Sequence, residues 1–145
     1  MIITARGQQG LDDALASLGP SASAFRCDNA APADIARCVE AASAAGPIDV
    51  LVNNAGVSSI YKRAEFVTVE EWDELVDVNL RGSYFWSIEV AKRLFAANLP
   101  GSIVNMSSMS ATTPLERVAV YSGTKAGLEQ LSRVLALEWA DRNVR

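Results

Sequence analysis

Three side chains in the C-terminal third of this sequence have the types and spacing to move a proton. Tyr121 and Lys125 stand four apart in Tyr121-Ser122-Gly123-Thr124-Lys125, and Ser108 precedes the tyrosine by thirteen residues. Residues four apart share one face of a helix. A neighbouring ammonium favours the phenolate and lowers a tyrosine's pKa. Such a tyrosine can give a proton to a ketone oxygen, or take one from an alcohol, near neutral pH. A serine hydroxyl can hydrogen-bond the same oxygen and position the carbonyl. Taken alone, Tyr-x-x-x-Lys is as well explained by a half-buried helical tyrosine beside a lysine stretched along the surface. Two upstream features favour the chemical reading: Asn53-Asn54-Ala55-Gly56, and Asn79 within Asp77-Val78-Asn79-Leu80-Arg81.

The composition narrows the chemistry further. There is no histidine, so a base must be Lys, Tyr, Asp or Glu, and every mechanism with an imidazole base is removed. Ser122-Gly123-Thr124-Lys125 matches the Ser-x-x-Lys of serine acyl-enzymes, but its Ser-Asp-Asn and Lys-Thr-Gly partners are absent. Cys27 and Cys38 are too few for a disulfide scaffold or a zinc site and read as free, buried thiols in a reducing compartment. No metal site is expected. The net charge of −4 argues against a nucleic-acid surface. No apolar stretch approaches the length of a membrane span, so a cytoplasmic location is expected. Asn105-Met106-Ser107 is a glycosylation sequon at a strand end and is expected to be silent.

These residues need elements to hold them, and the sequence supplies a regular alternation. Strands are expected at Met1–Ala5, Ala24–Cys27, Ile48–Val52 and Ser102–Met106. Ile48–Val52 reads as a strand buried on both faces. Helices are expected at Gly10–Leu18, Pro32–Ala45, Ser83–Asn98 and Val118–Asp141, from apolar residues at helical spacing. Another begins at Thr68, where Thr68-Val69-Glu70-Glu71 forms a capping box. The alternation predicts one α/β domain over residues 1–145, a doubly wound parallel sheet with helices on both faces. Ligands of such sheets bind beyond the carboxyl ends of the strands, where Asn53–Gly56 and Ser107–Ser108 fall. The small residues at Asn53–Gly56 let a ligand approach the backbone, or simply make a turn. Asn79 interrupts a helical pattern, either holding a water or a kink near Lys125 or marking a helix boundary. Arg6, after the first strand, could meet a phosphate or sit solvated in a loop. Gly7-Gln8-Gln9-Gly10 lacks the GxGxxG spacing and is not read as a pyrophosphate loop.

In order, Asp28, Asn53-Asn54-Ala55-Gly56, Asn79, Ser108 and Tyr121–Lys125 resemble the short-chain dehydrogenase/reductase family over essentially the whole chain. The resemblance implies a Rossmann-like fold and hydride transfer between NADP(H) or NAD(H) and a ketone or secondary alcohol. It implies that Tyr121 is the acid/base and that Ser108 orients the substrate oxygen. Lys125 would serve Tyr121 and the nicotinamide ribose, and Asn79 would support a water in a proton relay. Asp28 would contact adenine, and Asn29 the cofactor through its backbone. Asn53, Ala55 and Gly56 would line the adenosine ribose region. Arg6, following Ala5 where NAD-preferring members carry Asp, resembles the NADP-preferring pattern. The segment Glu116–Ala140 is similar to members acting on sugar acids such as gluconate. The two long helices imply a homodimer or homotetramer. Family members begin with a strand and a glycine-rich loop, whereas Met1–Arg6 resembles their second strand. They also continue past the point matching Arg145. The resemblance therefore implies a central fragment, truncated at both ends, and leaves a non-catalytic fragment or pseudoenzyme as the rival to an active enzyme. The loop Val57–Val67 carries no readable substrate code.

Overall fold

Helix and strand follow the sequence periodicity closely in a computed structural model that describes residues 1–145. The chain runs β1 (Ile2–Ala5), α1 (Gln8–Leu18), β2 (Ser23–Arg26), α2 (Pro32–Ser43), β3 (Val50–Asn53), α3 (Val69–Val76), α4 (Ser83–Ala97), β4 (Ser102–Asn105) and α5 (Ala119–Glu138). Local chemistry sets the boundaries. Pro32 opens α2, where its missing N–H costs no hydrogen bond. Gly19 closes α1 at φ 76°, a left-handed conformation that favours glycine. The expected capping box forms at α3: Thr68 Oγ1 accepts the Glu71 N–H at 3.3 Å, and Glu71 Oε2 accepts the Thr68 N–H at 2.9 Å. Lys62, paired with that carboxylate at 2.6 Å, and the Thr68 N–H hold the Glu71 carboxyl below its usual range.

All strand pairing is parallel, as expected. β1 pairs with β2, and β3 pairs with β4 in the register Val50↔Ser102 to Asn53↔Asn105. The strands form two pairs instead of one continuous ladder. A shared core joins the pairs: Ile35, Cys38 and Val39 of α2 meet Trp86, Val90 and Leu94 of α4, with Phe25, Leu51 and Ile103 of the strands packed against them. Each fully buried aliphatic side chain there contributes about 1.5–3 kcal/mol. Cys27 and Cys38 are free and buried in this core, as expected, and burial pushes the Cys27 thiol up to about 12.

One strand expectation fails. Val50 and Val52 are 56% and 55% exposed, so β3 is covered on one face only. The covered face carries Leu51, which packs toward α2 and α4; α1 instead packs on β1 and β2. At the other end of the chain, Asn143–Arg145 run beside β4, with a parallel bridge between Gly101 and Val144.

Two details set up the ends of β3 and β4. Asn53 Nδ2 donates to Asn105 Oδ1 at 2.8 Å and to Ser87 Oγ at 3.0 Å, and Asn105 Nδ2 donates to Ser132 Oγ at 2.8 Å. This polar chain ties β3 and β4 to α4 and α5. It also occupies the amide of the Asn105 sequon. Between α3 and α4 the helix widens into a π-helical stretch, Asp77–Gly82. Gly82 ends it against the Asn29 carbonyl, which a Cβ at position 82 would approach to 2.5 Å. Only glycine permits that contact without a backbone shift.

Candidate active site

The register of β3 and β4 brings their exits side by side, and the Met106 N–H donates to the Asn53 carbonyl at 3.1 Å. Beyond that point the chain opens: Asn54, Ala55 and Gly56 are exposed backbone at the strand end. Asn79, on the π-helical stretch, is completely buried and holds the next residue. Its Oδ1 accepts the Val57 N–H at 2.7 Å and its Nδ2 donates to the Val57 carbonyl at 2.8 Å. The same Nδ2 reaches Thr124 Oγ1 at 3.5 Å. Asn79 thus lies within the π-helical stretch with its side chain on the loop after β3. The widened helix frees the side chain from its own backbone and lets it clamp the loop after β3.

Lys125 arrives from α5. Its side chain is buried, and Nζ donates to the Met106 carbonyl at 2.6 Å. Nζ lies 5.8 Å from the centre of the Tyr121 ring, one helical turn away. A Cβ at position 56 would sit 3.3 Å from Asn79 Oδ1 and 3.6 Å from Lys125 Nζ, so Gly56 keeps this corner open. Tyr121 packs its ring against Ile60, Leu75 and Val120. Ser108 follows β4, half-buried, and the short turn after it, Met109–Ala111, packs against α5. Two flanking loops are tied where the Lys62 N–H donates to the Arg117 carbonyl at 3.1 Å. A hollow of about 360 Å³ lies beside the first turn of α5, between Val67, Trp72 and Val120. It does not include Ser108, Tyr121 or Lys125.

Gly56, Asn79, Tyr121 and Lys125 therefore share one corner, with Ser108 on the adjoining segment. Arg6, Asp28 and Asn29 lie at the ends of the other strand pair. Asn29 Oδ1 accepts from Trp86 Nε1 at 3.1 Å, and Asp28 Oδ1 caps the Ala30 N–H at 2.9 Å. Arg6 is exposed, and its carbonyl accepts from Arg26 Nε at 3.1 Å. The Asn53 side chain turns inward to the polar chain described above. Ser122 Oγ is buried without a hydrogen-bond partner, while Lys125 turns to Met106. No serine–lysine nucleophile is assembled there. Three participants escaped sequence reading. The Met106 carbonyl leaves no trace in residue type, and Thr124 and Ser110 read as ordinary polar residues until packing places them.

Burial of Lys125 penalises its charged form and lowers its pKa below the ordinary lysine value. The sign for stability follows from linkage. Below both the folded and unfolded pKa values the charge is a liability to the fold. As pH rises through the depressed folded value toward the unfolded one, the folded state sheds its proton first and stability is regained. The parent chain should therefore gain on a Lys125→Met variant in urea denaturation midpoint as pH rises from neutrality toward the ordinary lysine value of 10.5. A midpoint difference constant across that range would show that Lys125 is not desolvated.

The arrangement offers a phenol, a hydroxyl and a buried ammonium around one open corner at the carboxyl ends of two parallel strands. A family model for short chain dehydrogenases matches residues 1–145. The chain belongs to the short-chain dehydrogenase family. It is 38% identical over 141 residues to D-threitol dehydrogenase of Mycolicibacterium smegmatis, covering 94% of this chain and 54% of that protein. A metagenomic short-chain oxidoreductase solved in complex with NADP superimposes with a TM-score of 0.90 at 32% identity, covering 99% of this chain and 66% of that one. The 3-ketoacyl-(acyl-carrier-protein) reductase from Brucella melitensis, complexed with NADH, gives a TM-score of 0.92 at 33% identity, covering 99% of this chain and 61% of that one. The α/β, Rossmann-like, doubly wound fold is thereby shown. The chain spans about half the length of the curated relative, 54%. No helix is long and apolar enough to cross a membrane.

Proposed function

We propose that this short-chain dehydrogenase chain carries the proton-transfer side of a nicotinamide-dependent oxidoreductase that interconverts a ketone and a secondary alcohol. One observation carries the reading: the buried Lys125 ammonium spends one donor on the Met106 carbonyl, in the corner kept open by Gly56 and beside Tyr121. An ammonium has three donors, so those remaining suit the vicinal hydroxyls of a ribose. The residues present fit that half of a dinucleotide. Lys125 and Tyr121 would hold the nicotinamide ribose, with Ala55 and Gly56 along the adenosine ribose and Asn53 bracing the strand end behind them. Asp28 and the Asn29 backbone would meet the adenine, and Arg6 would favour a 2′-phosphate and hence NADP over NAD. When bound, the coenzyme supplies or takes up the hydride.

In the reducing direction, Ser108 donates a hydrogen bond to the ketone oxygen and fixes its position. Tyr121 donates its hydroxyl proton to that oxygen as it becomes an alcohol. Asn79 keeps the loop after β3 in register with α5 through Val57, so Gly56 stays facing Lys125. In the oxidising direction Tyr121 takes the alcohol proton. Likeness to D-threitol dehydrogenase favours a small polyol or hydroxyketone over the sugar acid that the α5 segment alone suggests. The same reading pairs subunits through the outer faces of α4 and α5, where Val134 and Leu137 are 39% and 81% exposed.

Fluorescence titration of the folded chain with NADPH and NADH tests the reading, with light scattering on the same sample. Saturable binding, tighter for NADPH, and a dimer mass are expected. Tighter NADH binding would remove the Arg6 assignment. A folded chain that binds neither coenzyme would be a non-catalytic module as it stands, and a monomer at high concentration would remove the α4–α5 interface.

A further inference from the structure

Ser110 stands two residues past Ser108 and is 5% exposed. Its backbone N–H donates to Ser108 Oγ at 3.2 Å, and its own hydroxyl lies 3.0 Å from the same oxygen. No other hydrogen bond uses the Ser110 hydroxyl. A buried hydroxyl proton left without an acceptor is costly, so this proton goes to Ser108. A serine oxygen has two lone pairs and one proton. Both lone pairs of Ser108 are then taken, one by the Ser110 N–H and one by the Ser110 O–H. What remains is the Ser108 proton, on a residue that is only half-buried.

We propose that Ser110 is a positioning residue that makes Ser108 a one-way hydrogen-bond donor to the oxygen of the substrate. The inference rests on the reading of Ser108 given under Proposed function. It explains how two hydroxyl groups around one substrate oxygen avoid competing. Ser108, with no lone pair free, cannot accept the alcohol proton, which leaves that proton to Tyr121. Two donors on Ser108 Oγ also polarise its O–H bond, so the hydrogen bond it gives strengthens as negative charge develops on the substrate oxygen. The two donors further stop the hydroxyl from rotating, so the group needs no reorganisation during the reaction.

A double-mutant cycle separates this role from a structural one. With a small hydroxyketone as probe substrate, Ser110→Ala should lower kcat about tenfold while KM and coenzyme affinity stay within about twofold. Ser110→Thr, which keeps the hydroxyl, should restore most of the rate. In a Ser108→Ala background the Ser110→Ala change should cost nothing further, because its only target is gone. An equal loss in both backgrounds would overturn the proposal. A second measurement needs no turnover. By NMR, the Ser110 hydroxyl proton of the coenzyme-free chain should exchange slowly and show contacts to the Ser108 β-protons, and it should vanish into fast exchange in Ser108→Ala. Bulk-rate exchange in the folded parent chain would overturn the pairing. A folded parent chain with no turnover would defeat the oxidoreductase reading and the role of Ser110 in it; the exchange measurement would then decide the Ser108–Ser110 geometry alone.

Discussion

Tyr121→Phe should reduce ketone turnover by about a thousandfold or more while leaving the fold and coenzyme affinity nearly unchanged. The Tyr121 ring packs against Ile60, Leu75 and Val120, and phenylalanine keeps that packing. The one side chain that bonds Tyr121 is Thr124, whose hydroxyl donates to the Tyr121 carbonyl at 2.7 Å and is untouched by the substitution. The stability change should therefore stay within about 0.5 kcal/mol. On the proposed function, what is lost is the proton delivered to the substrate oxygen, for which neither Ser108 nor Lys125 can substitute. Ser108 Oγ accepts from the Ser110 N–H and hydroxyl, which on our proposal leaves it only a hydrogen bond to give, and Lys125 is anchored on the Met106 carbonyl. Steady-state rates beside thermal melts decide the matter. A variant with unchanged melting and retained turnover would remove Tyr121 from the acid/base role.

The second large effect is structural in origin and catalytic in consequence. Asn79→Ala strips the Val57 N–H and carbonyl of their partners, since Asn79 Oδ1 and Nδ2 serve them at 2.7 and 2.8 Å. Leaving a buried polar group unpaired costs about 1–3 kcal/mol. Val57 is only partly buried, and water can reach some of this site. The loss of unfolding free energy should therefore be about 2–4 kcal/mol, read from urea denaturation. The released loop contains Gly56, whose place opposite Lys125 depends on the clamp, so coenzyme binding should weaken together with stability. Asn79→Asp keeps the acceptor for the Val57 N–H but sets a buried carboxylate oxygen against the Val57 carbonyl, and should lose at least as much stability as Asn79→Ala. Stability within about 0.5 kcal/mol of the parent in Asn79→Ala would show that the clamp contributes nothing.

The exposed face of β3 shows where sequence periodicity stops being sufficient. The apolar residues between Ile48 and Val52 resemble a strand buried on both faces, yet Val50 and Val52 lie open while Leu51 is covered. Hydrophobicity states what a strand tolerates. Which layer lies against it depends on the path of the rest of the chain. Asn53 makes the same point for a polar residue. Its position in Asn53–Gly56 suggests ligand contact, whereas its amide is spent on Ser87 and Asn105 within the protein. Residue type could not distinguish those uses, because both need the same donor.

The sequence by itself determined the order of strands and helices, the capping box at Thr68, the helical turn joining Tyr121 to Lys125, and the family. All of these depend on residue type and short spacing, which act through local backbone geometry. Tertiary structure alone decided that Asn79 grips Val57, that Lys125 anchors on the Met106 carbonyl, and that Ser110 occupies the lone pairs of Ser108. The first two join distant segments, 22 and 19 residues apart, through a backbone atom that every residue carries. The third joins residues only 2 apart, but its hydrogen-bond polarity follows from burial, which the packing of the turn against α5 supplies.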